Sequence, residues 1–394
     1  MAEKTKSPLK KKKSGLGLFN TGAVDLYFLI LVLILLAVGL VMLFSASYPY
    51  AYYNNDGDSL YYFRKQLMFA VSGIVIMMIV SKVKYGWFKV LTYPLLILTI
   101  ILLVVVLFLP DLPDTPGFKR WLYIPGMSGS PTFQPSELAK IALVMFCAVK
   151  MEQNHKKLVE KPFAFWPYAL VTLILAGLIY LENHVSGTVL ILMIGIVMMY
   201  LGGTKRYWFV LGIVAIVAVV ALVLIKPDIL PEHAAQRITL WLDKEAEPTK
   251  GRWQTNQSLY AISSGGLFGV GLGQSKQKHL YVSEPQNDFI FSIVCEELGL
   301  FGACVIIILF VLLIARGVAI ALKAKDRFGS LLVLGVVFHI GMQVALNIGV
   351  VTDFLPNTGI SLPFFSYGGT ALWVLLAELG MVLSVSRSSS VKKV

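Results

Sequence analysis

Asp288 is the residue from which a chemical reading of this chain starts. It closes the polar part of YVSEPQNDFIFSIVCEELGL, residues 281–300, just before Phe289, Ile290 and Phe291 open an apolar run. A carboxylate at that boundary has two readings. With Asn287 it can cap the N-terminus of the following helix, since Asp and Asn are favoured there. It can also act as a general base. Burial raises a carboxylate's pKa while a helix N-terminus lowers it, which leaves an ionised group that can still accept a hydroxyl proton. Glu296 and Glu297 follow about two turns deeper. Acidic groups at and below a bilayer surface are expensive and usually mark a site.

A second constellation lies in TFQPSELAK, where Glu137 and Lys140 stand three residues apart and share one helix face. They form either a neutralised structural pair or the polar lining of a cavity for an anionic ligand. Arg64 and Lys65, and Lys119 and Arg120 beside Trp121, add positive charge on the same side. His339, Gln343 and Asn347 fall at i, i+4 and i+8, a polar stripe whose favoured reading is interhelical hydrogen bonding. GGLFGVGLGQS, residues 265–275, superficially resembles a phosphate loop, but it follows no strand and opens no helix. Its glycines suit tight turns or close backbone approach to a ligand, and exposed N–H groups there could bind a lipid phosphate. No His, Cys or carboxylate cluster has structural metal spacing. A divalent cation held mostly by substrate phosphate leaves no sequence signature.

The elements that position these groups are membrane helices. The chain of 394 residues is 57% hydrophobic and 14% charged, against about a quarter charged in soluble proteins. Apolar runs occur near 26–46, 66–81, 90–109, 137–150, 164–181, 185–203, 207–225, 289–315, 328–350 and 370–386. Most have the ~17–25 residues of a span, and unpaired backbone is not tolerated in lipid, so they must be helices. The expected fold class is an all-α polytopic membrane protein with ten spans. The net charge of +12 does not indicate nucleic acid. Most of the 34 lysines and arginines fall in segments that become cytoplasmic when both termini are inside, as the positive-inside rule requires.

On this topology residues 1–24 form a cytoplasmic basic tail set against anionic lipid. Residues 25–387 form one membrane domain, and 388–394 a cytoplasmic tail. No cleavable signal peptide is evident, because the first run is too long for an h-region. The longest connections, 47–65, 110–136, 226–288 and 351–369, lie outside, so the functional face is extracytoplasmic. The 226–288 loop holds Trp241, Trp253, Leu259, Tyr260, Phe268, Leu280 and Tyr281, enough apolar groups to pack or to dip into the membrane interface. Cys147, Cys295 and Cys304 lie inside apolar runs and read as packing residues.

Four motifs, PTFQPSELAK (131–140), GGLFGVGLGQSKQK (265–278), EPQNDFIFSIVCEELG (284–299) and LPNTGISLPFFSYGG (355–369), resemble those of the SEDS proteins of bacterial shape, elongation, division and sporulation. GLVMLFSAS (39–47) also fits. GVGLGQSKQK and the 355–369 loop favour the division branch over the elongation branch, with the sporulation branch as the alternative. The resemblance implies a fold related to GT-C enzymes. The implied activity is a peptidoglycan glycosyltransferase that polymerises lipid II outside the cytoplasmic membrane, without a nucleotide sugar, during septal wall synthesis. It puts the essential base at Asp288, acting on the acceptor's 4-hydroxyl, with inverting displacement of undecaprenyl pyrophosphate. It puts cavity residues at Glu137 and Lys140. Further substrate-binding candidates in or near the motifs are Arg64, Gln134, Ser136, Glu284, Glu297, Ser366 and Tyr367. It implies a divalent cation, Mg²⁺ or Mn²⁺, at the pyrophosphate. Implied partners are a class B penicillin-binding protein and other divisome membrane proteins.

Two departures from the family pattern stand out. Gln286 and Asn287 replace a His-Thr pair before Asp288, and LENHVSGT (181–188) replaces a Pro-Asp turn, with His184 near the Asp position. The competing functions are a lipid II flippase, a non-catalytic scaffold for a transpeptidase, and a polymerase of another lipid-linked glycan.

Overall fold

The computed structural model describes residues 18–20, 22–109, 119–123, 133–226, 232–243 and 252–389. The basic tail up to residue 17, most of the 110–132 segment, parts of the 226–288 loop and residues 390–394 lie outside them. Among the described residues a helix overlies each apolar run: α1 (Leu26–Asn54), α2 (Tyr61–Lys82), α3 (Gly86–Phe108), α4 (Pro135–Gln153), α6 (Trp166–Leu181), α7 (Val185–Gly202), α8 (Arg206–Ile225), α11 (Ile290–Leu322), α12 (Arg327–Val351) and α13 (Gly369–Ser388). Between them lie the short α5 (His155–Glu160), and α9 (Glu232–Leu242) and α10 (Trp253–Gly265). The only strand-like pairings among the described residues are the isolated bridges Phe19–Val83 and Leu122–Phe133. Seven helices, α1, α2, α3, α7, α11, α12 and α13, are long and apolar enough to cross a membrane. The chain is a multi-pass membrane protein.

Local chemistry sets the helix starts. Asp25 caps α1 by accepting from Phe28 N, and Asp326 caps α12 by accepting from Gly329 N at 2.9 Å. Pro135 sits in the first turn of α4, where its missing N–H costs nothing. The α4 run from Ala139 to Val149 is buried on every side, the mark of a helix enclosed by others. It packs against α3, α6, α7, α12 and α13, and α13 lies along α2.

Asn20 Nδ2 donates to Ser388 Oγ at 2.6 Å, which brings the two ends of the membrane domain to one side of the bundle. That end is held by the Asp25–Arg316 pair and by Lys89, which bonds Glu152 and Asp326. The opposite end carries α9 and α10. There Arg252 pairs with Asp353 at 2.8 Å, Trp241 Nε1 donates to Asp353 O, and Trp253 Nε1 donates to Tyr281 O. The indoles of Trp241 and Trp253 are tied down by these bonds, but Trp253, Tyr260, Phe268 and Tyr281 stay exposed, so the long loop packs less of its aromatic surface than their number suggests.

The eighth apolar run differs from the single uninterrupted helix its composition suggests. Gly299 has φ 66° and ψ −172°, a conformation that breaks α11 into two and is essentially restricted to glycine. Break and glycine loop are built as one unit. Val270 N and Gly271 N donate to the Glu296 and Glu297 carbonyls at 3.0 and 3.1 Å. Leu300 N and Phe301 N donate to the Gly266 and Leu267 carbonyls at 2.9 and 3.0 Å. Each half-helix end thus has its unpaired groups satisfied by the loop. The close backbone approach at Gly265 and Gly269 is to α11. The Val270 and Gly271 N–H groups are occupied and cannot serve a phosphate. Cys147 and Cys295 are buried, as packing residues should be, but Cys304 lies exposed on the outer surface of α11.

Candidate active site

A cavity opens between α4, α12, α13 and the 352–368 connection. It is lined by Glu137 and Lys140 of α4, His339 and Gln343 of α12, Glu378 of α13, and Ser361, Ser366 and Tyr367 of the connection, with apolar neighbours. Glu137 and Lys140, three residues apart on α4, pair at 2.7 Å and are largely buried. Lys140 Nζ also donates to Gln343 Oε1 at 3.2 Å. Glu137 and Lys140 are therefore an ion pair that also lines a cavity.

The α12 stripe ties the site together, as its spacing suggests. His339 faces Glu378, with Nδ1 3.2 Å from Oε2. Gln343 Nε2 donates to Ser361 O and Oγ at 3.0 and 3.2 Å. Asn347 Nδ2 donates to Asp288 O at 2.8 Å and to Ile360 O at 2.6 Å. One helix face thus aligns the Asp288 loop, the 360–361 segment of the connection and the Lys140 cavity.

Asp288 is half-buried and lies beside the cavity, not in its lining. The helix N-cap is Phe289, so Asp288 stands one residue outside the capping position. Gly359, at φ 73°, lies against the carboxylate, and a Cβ there would come to 3.1 Å from Asp288 Oδ2. Neighbouring backbone is clamped: Ser366 Oγ donates to Asn287 O at 2.9 Å and Tyr367 N to Gln286 O at 2.8 Å. Gln66 of α2 braces the other side of this connection through Ser366 O and Gly368 N. Tyr367 lines the cavity and packs edge-on to Tyr62, ring centroids 4.9 Å apart. Burial pushes its hydroxyl up to about 12, so it is a neutral hydrogen-bonding group.

Several candidates lie elsewhere. Arg64 is exposed and spends its charge on Asp58. Lys119 and Arg120 donate to the carbonyls of Leu107 and Asn183. Gln134 is buried at the start of α4, outside the cavity lining. Ser136 turns to His184, Oγ 3.4 Å from Nδ1, and so faces α7. Glu284 is exposed and accepts from Asn287 Nδ2 at 2.8 Å.

Glu297 is the clearest correction. Its carboxylate is sealed from the cavity, accepting from Ser45 Oγ at 2.7 Å, Lys278 Nζ at 2.8 Å and Ser275 N at 3.4 Å. Glu296 accepts from Ser275 Oγ and from Lys276 N at 2.9 Å. Both carboxylates pin residues 275–278 to α11, because buried charges persist when paired and hydrogen-bonded. Residues the sequence reading did not assign to the site are Gln66, Ser361 and Glu378, together with His339, Gln343 and Asn347, which it favoured as interhelical hydrogen-bonding groups. Glu378 had a signal, as a lone carboxylate inside an apolar run.

Known proteins match along nearly the whole chain. It is 40% identical over 368 residues to the stage V sporulation protein E of Bacillus subtilis, covering 93% of this chain and 97% of that one. It is 36% identical over 364 residues to a probable peptidoglycan glycosyltransferase FtsW of Geobacter sp. strain M18, covering 92% and 96%. Among solved structures, a chain from a study of how a peptidoglycan synthase complex coordinates polymerization and crosslinking superposes with TM-score 0.76 at 26% identity, covering 93% and 98%. The rod shape determining protein RodA of Thermus thermophilus gives TM-score 0.67 at 27% identity, covering 93% and 98%. With residues 25–391 matched by the family described as cell cycle protein, that of FtsW, RodA and SpoVE, the chain belongs to that family.

Proposed function

We propose that this protein is a peptidoglycan glycosyltransferase that joins lipid II units into glycan strands at the α9–α10 face, outside the cytoplasmic membrane. The observation that carries the reading is Asp288: a half-buried carboxylate on a backbone clamped by Asn347 and Ser366, next to a cavity that holds a buried lysine. The names of the relatives and of the synthase complex support the same activity.

In this proposal the acceptor's N-acetylglucosamine 4-hydroxyl meets Asp288, which takes its proton. The oxygen attacks the donor's anomeric carbon from the face opposite the leaving group. That bond forms as the bond to undecaprenyl pyrophosphate breaks, so configuration inverts. Lys140, with two of its N–H groups on Glu137 and Gln343, directs the third at the charge building on the pyrophosphate. Among the described residues no group of three His, Cys, Asp or Glu could hold a metal. A Mg²⁺ or Mn²⁺ ion held mainly by the substrate's phosphate oxygens would need few protein carboxylates. Bound there, the ion would neutralise the leaving pyrophosphate.

The partner in this reading is a class B penicillin-binding protein that crosslinks the new strand, together with other divisome membrane proteins, and both termini are cytoplasmic. The ion pairs at the end opposite α9 and α10 favour an enzyme with one-sided access over a flippase, which needs access from both faces. Septal division is the assigned process. Sporulation is the second reading, favoured by the 40% identity to the stage V sporulation protein.

The test is glycan synthesis by the protein purified with its cognate transpeptidase, supplied with labelled lipid II and Mg²⁺ or Mn²⁺. Ladders from wild type and none from a folded Asp288→Ala variant support the proposal. Ladders from both would remove Asp288 from the chemistry. None from either would move the function to transport or scaffolding.

A further inference from the structure

The cavity contains a second acid–base pair that the proposed reaction does not use. His339 and Glu378 are both buried, on α12 and α13 respectively. Ionisable groups at such depth are costly unless they act on something. What they act on follows from hydrogen-bond directions. The amide of Gln343 has one workable orientation, because its NH₂ group faces the Ser361 carbonyl at 3.0 Å and hydroxyl at 3.2 Å. Its Oε1 therefore faces both Lys140 Nζ at 3.2 Å and His339 Nε2 at 3.1 Å. The reverse orientation would point an NH₂ at an ammonium. An amide oxygen only accepts, so His339 carries a proton on Nε2.

That assignment fixes the other ring nitrogen. Nδ1 lies 3.2 Å from Glu378 Oε2, and among the described residues this ion-pair contact is the polar contact that Glu378 makes. A buried carboxyl this close to a ring nitrogen is least costly with a proton between the two. Imidazolium with carboxylate, and imidazole with carboxylic acid, both satisfy this and both carry zero net charge. In either form Nε2 keeps its proton toward Gln343. Without Glu378 the imidazole could move its single proton to Nδ1. It would then turn a bare nitrogen on the Gln343 oxygen.

We propose that Glu378 and His339 are positioning residues: the pair holds the tautomer that fixes Gln343 Oε1, and Gln343 fixes the Lys140 ammonium where the cavity receives an anionic pyrophosphate group. The proposal deepens the glycosyltransferase reading and rests on it for the substrate.

The test uses the full chain with its transpeptidase. It compares wild type, His339→Asn, His339→Gln and Glu378→Gln in three readouts: steady-state polymerisation of lipid II, calorimetric binding of inorganic pyrophosphate, and thermal unfolding in detergent. Glutamine at 339 places an amide N–H near the Nε2 position, whereas asparagine reaches only to Nδ1. His339→Asn is expected to lower kcat at least about tenfold with KM little changed, because an interaction made in the transition state is lost. Pyrophosphate binding should weaken about tenfold in the same variant, as a charge-assisted contact is misdirected. His339→Gln, and Glu378→Gln with its N–H toward Nδ1, should bring both readouts back to within about threefold of wild type.

Equal losses in the two His339 variants, or losses that track unfolding temperature, overturn the proposal and leave the glycosyltransferase reading intact. A wild type that makes no glycan but shows the pyrophosphate loss and its rescue sinks that reading and keeps the positioning role. Pyrophosphate binding that is absent or indifferent to residue 339 overturns the positioning role whatever the glycan assay gives.

Discussion

The Asn347 side chain bonds the main-chain carbonyl of Asp288 at 2.8 Å and, through the same amide nitrogen, that of Ile360 at 2.6 Å. The carboxylate proposed as base and the connection that walls the cavity are thus joined through one side chain of α12. Asp288 stands one residue outside the capping position of its helix, so its direction depends on this clamp and on Ser366.

Asn347→Leu is therefore expected to cost activity per folded molecule as well as stability. The buried carbonyl of Ile360 and the part-buried one of Asp288 lose this donor, at about 1–3 kcal/mol for a buried group left unsatisfied. Glycan synthesis should fall at least about tenfold as the base loses its orientation. Ladder formation and detergent melting curves, measured side by side, check this. A large drop in melting temperature with activity per folded molecule unchanged would contradict it.

Glu137→Ala leaves the buried Lys140 ammonium with Gln343 as its remaining partner. Removing one member of a buried pair costs about 3–5 kcal/mol. The variant should melt well below wild type and lose activity, while Glu137→Gln, which keeps a hydrogen-bond acceptor, loses less. A fully stable and active alanine variant would refute the pairing argument.

Gly299→Ala tests the break in α11. Residue 299 has positive φ and extended ψ, and a Cβ there would collide with the backbone of Leu267 and Gly269. The substitution should release the 266–271 segment from the half-helix ends and expose it to protease at concentrations that leave wild type intact. An unchanged digestion pattern would mean that the break tolerates a side chain.

Glu182, just past the end of α6, is fully buried and neither oxygen has a hydrogen-bonded partner among the described residues. Burial pushes its carboxyl up to about 9, partly opposed by the positive charge of Arg120. A raised carboxylate pKa means stability that is complete below the ordinary value of 4.5 and is lost as pH rises toward 9. The loss is at most about 1.4 kcal/mol per pH unit. Glu182→Gln should melt like wild type near pH 5 and above it at pH 8, with the gap widening between. A constant gap would exclude ionisation as its cause.

Hydropathy alone was enough to show that the apolar runs are helices of a membrane protein, because lipid leaves the backbone no alternative to helical pairing. The fourfold spacing of His339, Gln343 and Asn347 was enough to put them on one face, because helix geometry is local. Asp288 was legible as a polar residue at the mouth of an apolar run, and Glu137 with Lys140 as neighbours on one turn. Tertiary structure decided who meets whom. Glu297 reads as a cavity carboxylate until Ser45, 252 positions away, and Lys278 close over it. Arg64 reads as a substrate cation until Asp58 takes its charge. The glycines of 265–273 read as a ligand loop until α11 breaks at Gly299 to receive them. Glu378 becomes a partner of His339 only when α13 packs beside α12. A charged group's role depends on which opposite charge lies within a few ångströms, and that distance is set by packing between helices far apart in the chain.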